Sequence, residues 1–324
     1  MKRRLLNLRT QTPLLDVVSY GRGGVSYTSQ QRAHIDRTVR RVPEVVIKVS
    51  GGARTLKGVG GHMDYIGRKG KLGLETDDGE RVQGKGFQAQ LLQAWDLALD
   101  TYWRQTARSV NPRRRPKLVH NLIFSMPPGT PPDKVLKAVR TLALNEWQER
   151  HRYALALHVD EPHPHVHVVL KAVSERGKRL HIRKATLRSW RAQFASNLRE
   201  LGVAANATER AVRGETRSSV RDGIYRAAVR GESAYLRGQA PRRTHTEQDS
   251  GAHRLRKTRA NVTEGWKVTA ATLRASGDHA LADQVDRFLD EMPSPRFGQR
   301  HLPNDVRHRV YETTGAFRPP DRTL

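Results

Sequence analysis

Residues 152–173 read RYALALHVDEPHPHVHVVLKAV, and this stretch decides the fold that we predict for the chain. Two short runs rich in strand-forming residues flank a turn segment with two prolines, which is typical of a β-hairpin. Side chains alternate between the two faces of a strand, so His165 and His167 point the same way. If His158 pairs with His165, all three imidazoles lie on one face of the hairpin.

The two faces of this hairpin differ in character. Ala154 and Ala156 share the face of His158 and are expected to leave it uncrowded. The other face is apolar and suited to packing against helices; it carries Tyr153, Leu155, Leu157, Val166, Val168 and Leu170. The hairpin is therefore predicted to have one buried face and one open face that can hold a metal ion.

Three histidines at this spacing predict a catalytic metal site. A single His-x-His pair is often only a polar strand edge, but here a third histidine and Asp160 are added, next to two clean strands. Imidazole suits zinc, copper, iron and nickel, and also manganese when open positions remain. The chain has no cysteine, which excludes the usual closed structural zinc site. Three neutral ligands that leave positions free are typical of catalysis.

The charge of the chain points to a polyanionic partner. Lys and Arg number 59 against 32 Asp and Glu, which gives a formal net charge of +27 over 324 residues. Such an imbalance opposes compact folding by self-repulsion, and nucleic acid is the partner that best offsets it. No run approaches the roughly 18 apolar residues of a membrane span, so we expect no membrane insertion. The lack of cysteine fits a cytoplasmic protein.

Patterning along the chain predicts an α+β fold with a central antiparallel β-sheet and helices on one face. Strands are expected at 44–49, 118–126, 152–159 and 165–173, a polar turn or hairpin at 74–86, and helices at 55–68, 87–108 and 133–149. A basic helical C-terminal region follows. The predicted divisions are a basic flexible arm at 1–43, the α+β domain at 44–215, a basic helical extension and linker at 216–258 and a small helical tail at 259–324.

A metal on a strand face of a strongly basic chain favours phosphodiester chemistry, because the metal polarises the scissile phosphate. The nucleophile is either water or a side chain, and without cysteine the natural side chain is tyrosine. Tyr65 is the candidate, since Arg68, Lys69 and Lys71 lie beside it and would hold phosphates. The alternative for Tyr65 is a half-buried packing residue.

Four segments in order carry a resemblance to a known family. They are KVSGGARTLKGVGGHMDYIGRKG at 48–70, HNLIFSMPPGT at 120–130, HVDEPHPHVHVVLKA at 158–172 and RKATLRSWRAQFASNLRELGVAANATERAVRG at 183–214. Together they resemble P-class relaxases, the mobilization nucleases of conjugative plasmids and integrative elements, close to the border-nicking endonucleases. These enzymes belong to the histidine-hydrophobe-histidine (HUH) endonucleases. The resemblance covers about residues 44–215.

The resemblance implies a role for each matching residue. Tyr65 falls on the catalytic tyrosine, which would attack the phosphate at an origin-of-transfer nick and leave a 3′-hydroxyl and a 5′-phosphotyrosyl strand. Asp160 falls on an acidic position expected to orient a ligand histidine or to help deprotonation. Ser125 falls near the motif that contacts DNA beside the nick. The three metal ligands match His158, His165 and His167.

Two further histidines and a basic loop also have expected roles. We expect His163 to be a turn residue, and His62, one helical turn before Tyr65, to be either a DNA contact or a bystander. The basic loop of Arg113, Arg114 and Arg115 is expected to follow the phosphate backbone.

The resemblance also implies the cofactor and the partners. Family members use Mg²⁺ or Mn²⁺, and three imidazoles also bind Zn²⁺ or Ni²⁺ well in a purified sample. The expected partners are single-stranded origin-of-transfer DNA, accessory relaxosome proteins and a type IV coupling protein. The expected location is the bacterial cytoplasm, with export while covalently attached to DNA.

Three other functions stay open at this point. One is a replication-initiation or transposition nuclease of the same fold, which would recognise a different DNA hairpin. Another is a non-catalytic basic DNA-binding accessory protein with structural histidines. The last is a metallohydrolase that uses water and forms no covalent adduct with DNA.

Overall fold

The computed structural model describes residues 26–97, 116–148, 150–215, 227–230, 232 and 250–293. They form two compact units: Arg41–Ala207 is one, and residues 26–40 with the described residues from Thr208 onward are the other. The predicted basic loop of Arg113, Arg114 and Arg115 lies outside the described residues. Among the helices that are described, none combines the length and apolar character needed to cross a bilayer.

The elements follow the order expected for an α+β chain. The helices described are α1 (Ser29–Val39), α2 (Leu56–Ile66), α3 (Phe87–Ala94), α4 (Pro132–Glu146), α5 (Lys184–Glu200), α6 (Ser250–Ala275) and α7 (His279–Asp290). The strands are β1 (Val46–Gly51), β2 (Leu74–Thr76), β3 (Arg81–Val82), β4 (Val119–Ser125), β5 (Tyr153–His158) and β6 (His165–Lys171). The strands form one six-stranded antiparallel sheet in the order β1-β4-β6-β5-β2-β3.

The predicted hairpin lies at the centre of this sheet. β5 pairs with β6 so that His158 is opposite His165 and Ala156 is opposite His167, which confirms the predicted register. β4 pairs with the other edge of β6 and brings Ser125 opposite His165. The two prolines fall in the connection, where no ladder donor is needed.

The apolar face of the hairpin packs against α4 and α5, as predicted. Edge-to-face contacts link Trp147 to Phe124, Tyr153 and Trp190, and Phe124 to Phe194, at centroid separations of 5.3 to 6.2 Å. Such aromatic pairs contribute about 0.5–1.5 kcal/mol each beyond their buried area. This core packs against one face of the sheet, and the histidines lie on the opposite face.

The histidine face carries a second helical layer, so the prediction of helices on one face needs correction. α2 and α3 pack there through Val59, Met63, Ile66, Phe87 and Leu91, against Ala154, Ala156 and Val169 of the hairpin. The two alanines do not leave the face open; because they are small, they let the helices approach the sheet closely. The α+β class and the central antiparallel sheet are confirmed.

The segment predicted as a turn or hairpin at 74–86 is a hairpin that extends the sheet. β2 pairs with both β3 and β5. A bidentate ion pair fixes this edge to α4, because both Nε and Nη2 of Arg140 donate to the carboxylate of Glu75.

The second unit has its own core around Trp266, whose indole N–H donates to the carbonyl of Val212 at 2.8 Å. α1, α6 and α7 supply most of its other buried residues, among them Ile35 and Phe288. Two predicted regions need correction here. The flexible arm at 1–43 contains α1, which starts at a capping box made by Thr28 and Gln31, and the linker running to 258 contains the first residues of α6.

Gly67, at the end of α2, allows the close packing of that helix. A Cβ there would lie 2.6 Å from Cζ of Phe87 and 2.9 Å from Cδ1 of Leu74. We expect Gly67→Ala to lower the free energy of unfolding by about 1–3 kcal/mol through overpacking. In Gly61→Ala, the matched control, the new Cβ meets nothing within 4 Å. Alanine there should raise stability by about 0.5–1 kcal/mol. Calorimetric unfolding measures both, and a loss of equal size in both variants would contradict the packing role.

His120 on β4 should make the stability of the first unit sensitive to acid. Burial, with Lys117 and Arg179 nearby, lowers the pKa of His120 to about 4 from 6.5. The unfolded chain therefore takes up this proton at a higher pH than the fold does, and stability falls as the pH drops through that window. His120→Gln, which does not titrate, should lose less stability than the wild type from about pH 7 to about pH 5. An identical pH dependence of calorimetric unfolding in both proteins would exclude this contribution.

Candidate active site

The three predicted ligand histidines converge at one end of the β5–β6 hairpin. The ring centroids are 4.4 Å apart for His158 and His167, 5.1 Å for His165 and His167, and 5.2 Å for His158 and His165. Each ring offers one nitrogen, and these three atoms lie within 4.8 Å of one another. A single metal ion can be reached by all three.

Backbone carbonyls orient two of these rings. Nε2 of His158 lies 2.7 Å from the carbonyl oxygen of Ile66, so this nitrogen carries the proton. Nδ1 keeps its lone pair, which faces Nη2 of Arg68 at 3.1 Å, and a metal ion bound to Nδ1 would take the place of that contact. In the same way, Nδ1 of His165 donates to the carbonyl of His163 at 2.9 Å and leaves Nε2 as the acceptor. Ligand histidines in metalloproteins are commonly oriented by such second hydrogen bonds.

The protonation state of the histidines also suits the binding of a metal cation. Burial lowers the pKa of His158, and burial together with the neighbouring histidines lowers the pKa of His167 to about 3. Both rings therefore stay neutral near pH 7, which is the form that binds metal. Nδ1 of His167 is buried and has no hydrogen-bond partner among the described residues. The donor set fits a divalent metal, as the sequence predicted.

α2 brings Tyr65 beside this cluster. The helix starts at Thr55, which caps it by accepting from the backbone N–H of Gly58, and it packs inward through Met63 and Ile66. Tyr65 consequently faces outward and is 50% exposed. Its ring meets the edge of His167 at a centroid distance of 6.2 Å. A half-exposed phenol next to three imidazoles is accessible to a DNA strand, unlike a packing tyrosine in the core.

His62 belongs to the same cluster. Its ring stacks on Tyr65 at 6.1 Å with an interplanar angle of 24°, and it meets His167 at 6.4 Å. Nε2 of His62 is buried without a hydrogen-bond partner in the described part of the chain, and burial lowers the pKa of the ring. The sequence left His62 as a DNA contact or a bystander. Its three-residue spacing from Tyr65 was the available signal.

The turn after α2 carries Arg68, which contacts both the histidine cluster and an acidic residue on the β5–β6 connection. Arg68 forms an ion pair with Asp160 and also lies 3.1 Å from Nδ1 of His158. The nearest carboxylate oxygen of Asp160 is 4.0 Å from that Nδ1, which is too long for a hydrogen bond. Asp160 therefore lies beside the ligand set and contacts it through Arg68. Lys69 and Lys71, also predicted as DNA contacts, are exposed on the same turn.

Ser125 ends β4 opposite His165, and its hydroxyl donates to the carbonyl of Met126 at 3.4 Å. His163, expected as a turn residue, is exposed in the β5–β6 connection.

The sheet adds a cation that the sequence did not single out. Lys48 on β1 is opposite Ile123, and Ile123 is opposite His167, so Lys48 shares the histidine face.

Comparison with known proteins gives matches over the same segments. A family model described as "Relaxase: MobA/VirD2-like, nuclease domain" matches residues 65–203, which run from Tyr65 through the histidine hairpin to the end of α5. No solved structure was found that matches the chain.

Three curated relatives carry the name T-DNA border endonuclease VirD2. That of Agrobacterium fabrum is 26% identical over 236 residues, which cover 63% of this chain and 50% of that protein. That of Rhizobium radiobacter is 28% identical over 142 residues, with 39% and 31% covered. That of Rhizobium rhizogenes is 26% identical over 147 residues, with 39% and 30% covered. The chain spans half or less of the length of each relative.

Proposed function

We propose that the protein is a site- and strand-specific DNA relaxase, since residues 65–203 match the family model of a MobA/VirD2-like relaxase nuclease domain. The observation that carries the proposal is the position of Tyr65. Its side chain is half exposed, and its ring centroid lies 6.2 Å from that of His167 in the three-histidine cluster. A nucleophile and a metal site this close can act on one phosphodiester.

The proposed reaction is a transesterification. The phenolic oxygen of Tyr65 attacks the scissile phosphorus, a new O–P bond forms, and the bond from phosphorus to the 3′-oxygen breaks. The phenol gives up its proton and the departing 3′-oxygen gains one, which leaves a 3′-hydroxyl and a 5′-phosphotyrosyl strand. A divalent ion held by the three histidines would supply charge stabilisation at the phosphate. The energy of the broken ester is kept in the phosphotyrosyl bond, so the strand can later be rejoined.

Exposed cations support a DNA strand next to this centre. Lys69 and Lys71 lie on the turn that follows Tyr65, and Lys48 extends the positive charge across the histidine face of the sheet. We assign these residues to phosphate contacts, which position a strand without reading its sequence. Ser125, on the strand beside His165, is proposed to contact DNA next to the nick.

The proposed biological setting rests on the resemblance to relaxases. The substrate is the single-stranded nick site at an origin of transfer, the cofactor is Mg²⁺ or Mn²⁺, and the process is conjugative mobilization. Accessory relaxosome proteins and a type IV coupling protein are the proposed partners, with export of the protein attached to its DNA.

The test uses single-stranded oligonucleotides taken from the DNA that flanks the gene, incubated with the protein and Mg²⁺ or Mn²⁺. Because the proposed link is to the 5′-phosphate, a label at the 3′ end should stay with the protein on a denaturing gel, and a 5′ label should be released. Cleavage with both labels free would indicate a nuclease that uses water. Binding without cleavage of DNA that contains the site would indicate an accessory DNA-binding protein.

A further inference from the structure

We propose that Arg68 is a positioning residue for the reaction: it holds the carboxylate of Asp160 against the histidine cluster and fixes the ring of Tyr65 beside it. This inference rests on the proposed relaxase function. It gives Arg68 a role different from that of Lys69 and Lys71, the other cations of the same turn, which face solvent.

Three contacts converge on the Arg68 guanidinium. Its Nη2 pairs with the carboxylate of Asp160 and lies 3.1 Å from Nδ1 of His158. Its Cζ lies over the ring of Tyr65, 5.6 Å from the centroid, within the range of a cation–π contact. The ion pair and the ring contact carry the positioning role, since one side chain links Asp160 to Tyr65. The contact with His158 lies at the nitrogen that would bind a metal ion.

The backbone of the turn is shaped to deliver this side chain. Arg68 has φ 51° and Lys69 has φ 56°, so two consecutive residues other than glycine adopt the left-handed conformation that L-residues rarely take. The N–H of Lys69 donates to the carbonyl of Asp64 at 2.8 Å and closes the turn. Strained backbone of this kind is often found at functional sites, where the surrounding structure maintains it.

Guanidinium chemistry explains why arginine suits this position. The planar group presents several N–H donors in fixed directions and can pair with a carboxylate while its face lies on an aromatic ring. A lysine ammonium is a point charge that cannot make this set of contacts together. A fixed cation here would also stabilise the negative charge that develops at the phosphate.

Lys69 provides a matched control for Arg68. Both side chains carry one positive charge on the same turn, and both backbones are left-handed. No hydrogen bond, ion pair or ring contact of the Lys69 side chain is found among the described residues. Arg68→Ala and Lys69→Ala therefore remove the same charge from equally strained backbones and differ in the contacts that are lost.

The experiment compares single-turnover adduct formation and DNA affinity for wild type, Arg68→Ala, Lys69→Ala and Arg68→Lys. We expect Arg68→Ala to slow adduct formation at saturating DNA by about 100-fold, the scale of losing one oriented electrostatic group. Lys69→Ala should mainly weaken DNA binding, with a shallower salt dependence, and should slow adduct formation at saturating DNA far less than Arg68→Ala does. Arg68→Lys should recover only part of the rate. Equal behaviour of the two alanine variants, or full recovery by lysine, would overturn the positioning role.

A double-mutant comparison tests the link to Asp160 separately. If Arg68 acts through Asp160, the rate of Arg68→Ala/Asp160→Ala should be close to that of Arg68→Ala alone. Rate losses that multiply would show that the two residues act independently and would overturn the inference. Failure of the wild-type protein to form any adduct with site-containing DNA would instead reject the relaxase function itself.

Discussion

Tyr65→Phe should leave the protein able to bind its DNA and unable to attach to it. The substitution removes only the phenolic oxygen, which is the atom that forms the bond to phosphorus in the proposed reaction. Loss of an enzyme's nucleophile typically removes most of the rate, so we expect adduct formation to fall by at least about 1,000-fold. The ring of Tyr65 is 50% exposed, and its hydroxyl makes no hydrogen bond with any of the described residues, so folding should not change.

Denaturing electrophoresis with a 3′-labelled oligonucleotide measures the adduct, and fluorescence anisotropy measures binding. The matched control is Tyr27→Phe in the second unit, where the hydroxyl donates to Thr269 at 3.3 Å. That variant removes the same atom, at a possible cost in stability, and should form the adduct at the wild-type rate. An adduct that persists in Tyr65→Phe would move the nucleophile to another residue. Persistent cleavage without an adduct would show that water attacks the phosphate.

The hairpin register could be predicted because strand geometry is local and has a period of two. Once His158 is placed opposite His165, alternation alone puts His167 on the same face and six apolar residues on the other. The positions of the main strands along the chain also followed from turn residues and apolar runs, whereas their order in the sheet did not. The proposal that Tyr65 is the nucleophile depended on something further, a match to an ordered set of motifs, since the residues near Tyr65 allowed a packing role as well.

Other parts of the site depend on contacts between distant segments, which no local pattern encodes. The carbonyl of Ile66 fixes the His158 ring across 92 positions of sequence, and any residue type has such a carbonyl. The layer of α2 and α3 on the histidine face depends on Ala154 and Ala156 being small, a feature that equally suggests an open surface. Arg68 was predicted as a DNA contact from its charge, and its contact with Asp160 requires the folded turn.

His167→Ala should remove both metal binding and adduct formation. His167 is the central ligand, with its ring 4.4 Å from that of His158 and 5.1 Å from that of His165. Two imidazoles alone seldom hold a divalent ion, and changes even to residues that only orient a ligand cost about 10–100-fold in affinity. We therefore expect the affinity for Mn²⁺ to fall by more than about 100-fold. The low pKa of His167, about 3, means that the proton is a weak competitor in the wild-type protein.

The readout that separates metal binding from catalysis is thermal stability. A ligand that binds only the folded state raises the unfolding temperature, and more so the tighter it binds, so Mn²⁺ should stabilise the wild type. The same addition should leave His167→Ala unchanged. His163→Ala is the matched control, because His163 is exposed in the connecting turn and its backbone carbonyl, which accepts from His165, is retained. A stabilisation by Mn²⁺ that survives in His167→Ala would place the metal elsewhere. If Mn²⁺ no longer stabilised His163→Ala, His163 would be a metal ligand in addition to the three histidines of the cluster.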